Sequence, residues 1–427
     1  ILWATKFLKE GGRLGMIISN MWLQTDYGIN FGKFLLDHYK IKALIDVAIR
    51  LFGALISTVI ILAERCSDEN SRKENKVVLI HIPARLEEHE LKEILHLIED
   101  CITSSGEINA KSLKRLCKEK RITLIINEAK QETIPSDKKW IGLFFPRVEE
   151  ILEILEIHPL MTRISKYFEP TRGNSIWSIW ALKNGKRPDL GAKNFFYFTP
   201  SKAQAWRIPK KYLVPAITRA QYIKTFVFTK EDWEELKNKD KNVYIFVCHE
   251  PRNALPPQVQ EYIKWGETEC RTQIRGTRGG GRVCSEAEAC KARARQTAIF
   301  RGWYDLGGHL PTPLMAIRQP RYHPQFFYVK IPVVTYDAII TLIPKIKVAA
   351  EELIIDPKDL IKEHSFLSSI GIRADIALDE KELKALLAYL NSTIVWTWLE
   401  QNARYIAKGP LGLEVNILRE MPLLNVK

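Results

Sequence analysis

The segment from Arg271 to Arg301 gathers the side chains best suited to gripping a polyanion. It holds Arg271, Arg275, Arg278, Arg282, Lys291, Arg293, Arg295 and Arg301 against only Glu286 and Glu288. A guanidinium is a planar fork of donors that matches phosphate oxygens and the O6/N7 edge of guanine. The run Gly279 to Gly281 lets a backbone approach a groove closely. Trp303 and Tyr304 follow, with Phe300, and suit packing on a sugar or a base. A solvated charged loop explains the same composition, and spacing does not say which arginines meet bases.

A second set lies between Arg50 and Glu64. Leu51-Phe52-Gly53 reads as a turn at the end of a strand, with Gly53 allowing the tight bend. Phe52 then sits near the mouth of a sheet, where open α/β folds bind ligands. An aromatic ring there suits stacking on a flat base, although spacing alone describes a core-capping Phe52 equally well. Two other sets imitate sites. Glu128-Ala-Lys130 after an apolar strand has the look of a metal-dependent nuclease, but Asp100, the upstream carboxylate, falls at a helix end. Cys270, Cys284 and Cys290 with His249 have the ligand types for zinc, but no Cys-x-x-Cys pair supports them. They read as reduced, partly buried thiols.

The elements that must position these residues alternate between helix and strand. Trp3, Ala4, Phe7 and Leu8 form the apolar face of an opening helix that Gly11-Gly12 ends. Strands follow at Leu14 to Ser19, Ile41 to Ala48 and Ser57 to Ala63. Between the first two lies a helix whose Phe31, Phe34, Leu35 and His38 share one face. Val77 to Pro83 and Ile122 to Asn127 read as further strands, flanking a helix with a stripe of Leu91, Ile94, Leu95 and Ile98. A helix from Val148 to Ile157, striped by Val148, Ile151, Leu152 and Leu155, opens a second region. From Phe168 onward short aromatic runs alternate with turns, up to one long helix from Lys381 to about Asn402. That helix carries Leu383, Leu386, Leu387, Leu390 and Ile394 on one face. The pattern predicts an α/β sheet domain over 1–145 and an irregular α+β domain over 146–427.

At 427 residues the chain has room for two or three cores. An apolar fraction of 46% with 27% charged residues excludes a disordered chain. The longest apolar run, Ala54 to Ala63, is broken by Ser57 and Thr58 and is too short to cross a bilayer. Seven scattered cysteines, an odd number, point to reduced thiols and a cytoplasmic location. A net charge of +14 does nothing for folding but attracts polyanions, of which nucleic acid is the commonest.

The run Phe7-Leu-Lys-Glu-Gly-Gly-Arg-Leu-Gly-Met-Ile-Ile-Ser-Asn-Met-Trp22, followed by Leu51-Phe-Gly-Ala-Leu-Ile-Ser-Thr-Val-Ile-Ile61, resembles part of a known family. It is similar to the post-catalytic part of gamma-type N6-adenine DNA methyltransferases of restriction–modification systems. The likeness continues through Asn194-Phe-Phe-Tyr-Phe198, Ile208-Pro-Lys-Lys-Tyr-Leu-Val-Pro215 and Arg301-Gly-Trp-Tyr-Asp-Leu-Gly-Gly308. It ends with Leu390-Asn-Ser392, Gly412-Leu413 and Leu418-x-x-x-Pro422. The resemblance implies a partial Rossmann-like methyltransferase sheet followed by a target-recognition domain. It also implies that Phe52 contacts an adenine flipped out of duplex DNA, because a methyl donor cannot reach the amine of a stacked base.

The family's aromatic-x-Gly-x-Gly cofactor loop and its Pro-Pro-aromatic tetrapeptide do not occur in the sequence, and Leu255-Pro-Pro-Gln258 does not replace the latter. The expectation is therefore a fragment without catalytic or cofactor residues of its own. S-adenosylmethionine would be held upstream of Ile1, on the same polypeptide or a separate subunit. An apolar open sheet edge would then make the fragment poorly soluble alone. Two alternatives stay open: a stand-alone DNA-specificity subunit, and a methyltransferase acting on RNA.

Overall fold

The structure is a computed structural model. It describes the chain apart from residues 1, 49–56, 84–87, 174–191, 273–280, 308–311, 321–322, 324, 336–337, 351–352, 360–370, 374, 406–410 and 426–427. Mixed α/β packing with several sheets forms two compact units. One comprises Ile1–His158 with Thr397–Gly412, the other Pro159–Trp396 with Leu413–Lys427. Among the described residues, no helix is long and apolar enough to cross a membrane.

The first unit is built on strands β1 (Arg13–Ser19), β2 (Tyr39–Val47), β3 (Thr58–Arg65), β4 (Lys76–Ile82) and β5 (Ile125–Lys130), in the order β1-β3-β2-β4-β5. Strand β3 is antiparallel to both β1 and β2, so β1 and β2 run the same way, joined by the helix Asp26–His38. β4 is parallel to β2, and β5 closes the far edge antiparallel to β4. The sheet is therefore mixed, with antiparallel pairs predominating. Central β2 buries seven of its nine residues because both its faces are covered. One face packs Ile94, Leu97, Ile98 and Leu113 of helices Glu88–Asp100 and Ala110–Glu119. The other packs Leu23, Leu35, Trp140 and Phe144.

A bulge in β2 decides which residues serve which face. Tyr39 and Ile41 join one core, while Ala43, Ile45 and Val47 join the other, although all five positions are odd. The register shift between Ile41 and Ala43 reverses the alternation. The backbone groups it frees are taken by two buried side chains. Gln131 donates from Nε2 to Tyr39 O (2.8 Å) and accepts from Ile41 N (3.0 Å), and Asn75 Nδ2 donates to Ile41 O (2.8 Å).

Three expectations need correction here. The opening helix spans only Leu2–Phe7, so Ala4 and Leu8 pack while Trp3 and Phe7 stay exposed. On the helix Pro146–Ile157, Leu152 is buried but Ile151 is exposed. The long final helix is two, Glu380–Leu390 and Thr393–Asn402, and Ile394 is exposed. The break is Asn391. Its side chain accepts from Phe326 N (3.0 Å) and donates to Phe326 O (2.9 Å), pinning the helix end to a strand.

In the second unit, β6 (Met161–Arg163) pairs with the strand Pro422–Leu424 near the chain end. The main sheet contains β7 (Phe168–Arg172), β10 (Val227–Phe228), β12 (Leu314–Ile317), β13 (Phe326–Val329) and β15 (Ile339–Pro344), ordered β10-β13-β12-β15-β7. A smaller sheet orders β14 (Val334–Thr335), β9 (Leu213–Ile217), β11 (Tyr244–Phe246) and β8 (Tyr197–Phe198) as β14-β9-β11-β8. Against it packs an aromatic core of Phe195, Phe198, Phe246, Tyr262 and Trp303.

Candidate nucleic-acid interface

Residues 273–280, which include Arg275 and Arg278, lie outside the described residues, but the base that carries them does not. Cys270–Thr272 and Gly281–Cys284 form an antiparallel ribbon. Cys284 N donates to Cys270 O (2.8 Å), Thr272 N donates to Arg282 O (2.9 Å), and Arg271 pairs with Val283. Gly281 is required, since a Cβ there would lie 1.8 Å from the Thr272 carbonyl oxygen. Asn194 Nδ2 donates to Arg271 O (2.8 Å) and ties the ribbon to the helix Lys193–Phe196. Arg271 and Arg282 are exposed on it, and Arg282 pairs with Glu288 at 2.6 Å.

Under the ribbon the Cys284 thiol donates to Cys270. This bond pulls Cys270 below the usual thiol range and pushes Cys284 above it, with burial raising both. Lys202 lies close to both thiols. Burial pushes its ammonium down to about 8, while the nearby thiols act in the opposite direction. The ammonium donates to Asn194 O (2.6 Å) and Tyr197 O (2.9 Å) and sits 4.1 Å from the Phe198 ring centroid. All seven cysteines are free and buried.

The structure divides the remaining candidates. Arg295 and Arg301 are exposed. Arg293 is fully buried: Nε donates to Trp303 O (3.1 Å), Nη2 to Cys290 Sγ (3.2 Å), and the guanidinium lies 5.2 Å from the Phe196 centroid. Trp303 and Tyr304 are core residues as well. Trp303 packs 4.4 Å from Phe195 and donates from Nε1 to Glu267 (3.0 Å), and the Tyr304 hydroxyl donates to Glu250 O (2.9 Å). In this fold those three side chains are buried in the core, not displayed on the surface.

Sequence reasoning missed what this core supports. Asp305 is fully buried. Its Oδ2 accepts from His249 Nδ1 (2.6 Å) and Arg301 N (2.8 Å), and its Oδ1 accepts from Gly307 N (2.6 Å). The His249 side chain is 47% exposed. The only signal was a carboxylate inside the glycine- and aromatic-rich run Arg301 to Gly308, where burial forces an acid to find partners.

Phe52 also falls outside the described residues, but both ends of its segment are fixed. Ala48 N donates to Ile82 O (3.0 Å), and Ser57 O accepts from Asn20 N (3.1 Å). At this carboxyl end of β1, β2 and β4, buried Asp46 accepts from Asn20 Nδ2 (2.9 Å) and His81 Nδ1 (2.8 Å). Both oxygens of Asp46 are thus engaged by protein.

Two family models match the chain. Residues 1–52 match the Eco57I restriction-modification methylase, and residues 190–275 match the C-terminal domain of the type II methyltransferase M.Eco57I. The curated type II methyltransferase M.AccI from Acinetobacter calcoaceticus is 24% identical over 264 residues, covering 61% of this chain. The chain spans 40% of the length of that relative. Among solved structures, the type IIG restriction endonuclease BpuSI aligns over 99% of this chain and 41% of its own, at 11% identity and a TM-score of 0.38. The type IIL restriction-modification enzyme MmeI, in complex with DNA, aligns over 78% of this chain and 33% of its own, at 12% identity and a TM-score of 0.36. At those scores neither likeness fixes the fold. The sequence matches show that the chain is similar, over parts of its length, to type II restriction–modification methyltransferases.

Proposed function

We propose that this chain is the DNA-reading part of a site-specific adenine-N6 DNA methyltransferase, with a partial Rossmann-like sheet in its first unit and target recognition in its second. The observation that carries the reading is the ribbon Cys270–Thr272 / Gly281–Cys284, which draws together both ends of an arginine-bearing segment in a chain of net charge +14. Phosphate contacts from Arg271, Arg275, Arg278, Arg282, Arg295 and Arg301 supply affinity for double-stranded DNA, and base contacts supply the choice of site. Phe52 stacks on the flipped adenine. S-adenosylmethionine and the transfer step belong to the rest of the methyltransferase.

Duplex binding by the full chain, titrated against salt, tests this. Each phosphate contact adds about 0.9 to the slope of log affinity against log salt, so the double variant Arg275→Ala/Arg278→Ala should lower the slope by about 1.8. A duplex affinity indifferent to salt would falsify the reading. In the intact enzyme, Phe52→Ala should reduce N6-methyladenine formation about 5- to 150-fold, the scale of one base–aromatic stack, while duplex affinity holds.

A further inference from the structure

We propose that His249 and Arg301 form a phosphodiester-binding pair whose position is set by the buried Asp305 carboxylate. The inference rests on the reading of the second unit as DNA-binding. A carboxylate with no exposure is stable only if donors saturate it. Asp305 has three such donors, and two of them belong to residues whose side chains are exposed. His249 Nδ1 and Arg301 N converge on the same oxygen, Oδ2, at 2.6 and 2.8 Å. One buried atom therefore anchors a ring and a main chain that each carry a cationic group at the surface.

The hydrogen bond to Asp305 occupies Nδ1, so Nε2 is the nitrogen left to meet a ligand. Among the described residues nothing bonds Nε2, and Arg301 makes no ion pair. Nearby cations differ: Arg252 pairs with Glu267 (2.9 Å) and Lys211 with Glu250 (2.9 Å). Those pairs also remove the competing carboxylates. Glu250 follows His249 in the chain and accepts from Lys211 and from the Tyr212 hydroxyl in the turn before β9. Glu267, on the helix Pro257–Thr268, accepts from Arg252 and Trp303. The other titratable groups in this neighbourhood are Cys248, a thiol raised to about 11 by burial, and Tyr304, raised to about 12 by burial. Neither changes charge between pH 5.5 and 8.5, whereas Lys202 under the ribbon does, so only the part of a pH-dependent change in binding that His249→Gln removes is assigned to the imidazole. Histidine side chains change charge in that range, and an imidazolium Nε2–H donates to a phosphate oxygen that a neutral ring cannot engage in this way.

The test is duplex DNA affinity of the full chain by fluorescence anisotropy, at several salt concentrations and at pH 6 and 8.5. Wild type, His249→Gln and Arg301→Gln are compared, with thermal melts to establish folding. His249→Gln should weaken binding severalfold at pH 6, with a salt slope lower by about 0.9, one phosphate contact. The loss should shrink to nothing at pH 8.5. Arg301→Gln should lose the same increment at both pH values. Equal affinities of His249→Gln and wild type at pH 6 would overturn the proposal, as would an equal loss at both pH values, which marks a structural role. In either case a salt-dependent wild type leaves the DNA-binding reading standing. A wild type that does not bind duplex overturns both. Excess inorganic phosphate should compete only weakly; full competition at millimolar concentration would identify a free-anion site and reject the backbone contact.

Discussion

Arg293 and Arg301 are eight positions apart in one basic segment and do opposite work. Arg293 is inside, on the Trp303 carbonyl and the Phe196 ring, while Arg301 is exposed beside a buried carboxylate. Composition cannot separate them, because the difference lies in partners that the chain brings from positions 196, 303 and 305. It predicts different losses. Arg293→Ala strands the Trp303 carbonyl and empties a guanidinium-sized space, and should cost on the order of 3 kcal/mol in urea denaturation. The salt slope of DNA binding should stay at the wild-type value. Arg293→Met, which keeps the stem, should recover part of the stability. A lower slope with unchanged stability would return Arg293 to the DNA surface.

At the scale of elements, the short ribbon does for the arginine segment what a long strand does elsewhere. Three residues on one side and four on the other suffice because Asn194 and the Cys270–Cys284 contact fasten it to the aromatic core. Its weak point is Gly281. Gly281→Ala forces the ribbon open by the distance a Cβ needs from the Thr272 oxygen. Overpacking of this kind costs about 1–3 kcal/mol, and duplex affinity should fall severalfold because the segment loses its fixed ends. An unchanged affinity in a folded Gly281→Ala protein would detach the ribbon from DNA binding. Four of the five strands of the first sheet are legible from their apolar runs, whereas β5 lies at Ile125–Lys130, three residues beyond the expected Ile122–Asn127. The bulge in β2 is not legible, because Gln131 and Asn75, which make it tolerable, are far away in sequence. The same holds for the helix break at Asn391, whose clamp on Phe326 spans 65 positions.

At the scale of the molecule, each unit has its own cores, and the chain passes between them more than once. The first unit leaves β1 on the sheet edge with Ile17 exposed, and the helix Leu2–Phe7 exposes Leu2, Trp3 and Phe7. Among the described residues no strand pairs with the outer edge of β1, and an open edge beside apolar side chains favours association. Light scattering on the purified 427-residue chain should give a mass that climbs with concentration, and Trp3→Glu/Phe7→Glu should flatten the rise. A constant monomer mass for the wild type would count against an adhesive edge.

The sequence by itself determined the alternation of helices and strands, the basic charge and the similarity to restriction–modification methyltransferases. Those properties are local or additive: periodicity needs only a window of neighbours, charge only a sum, and similarity only the order of short motifs. Only the tertiary structure decided that Trp303 and Tyr304 are core and that Arg293 is buried. It also decided that His249 is held by a carboxylate 56 positions away. Burial and hydrogen-bond partnership depend on which distant residues arrive at one point, and no window of the chain contains that information.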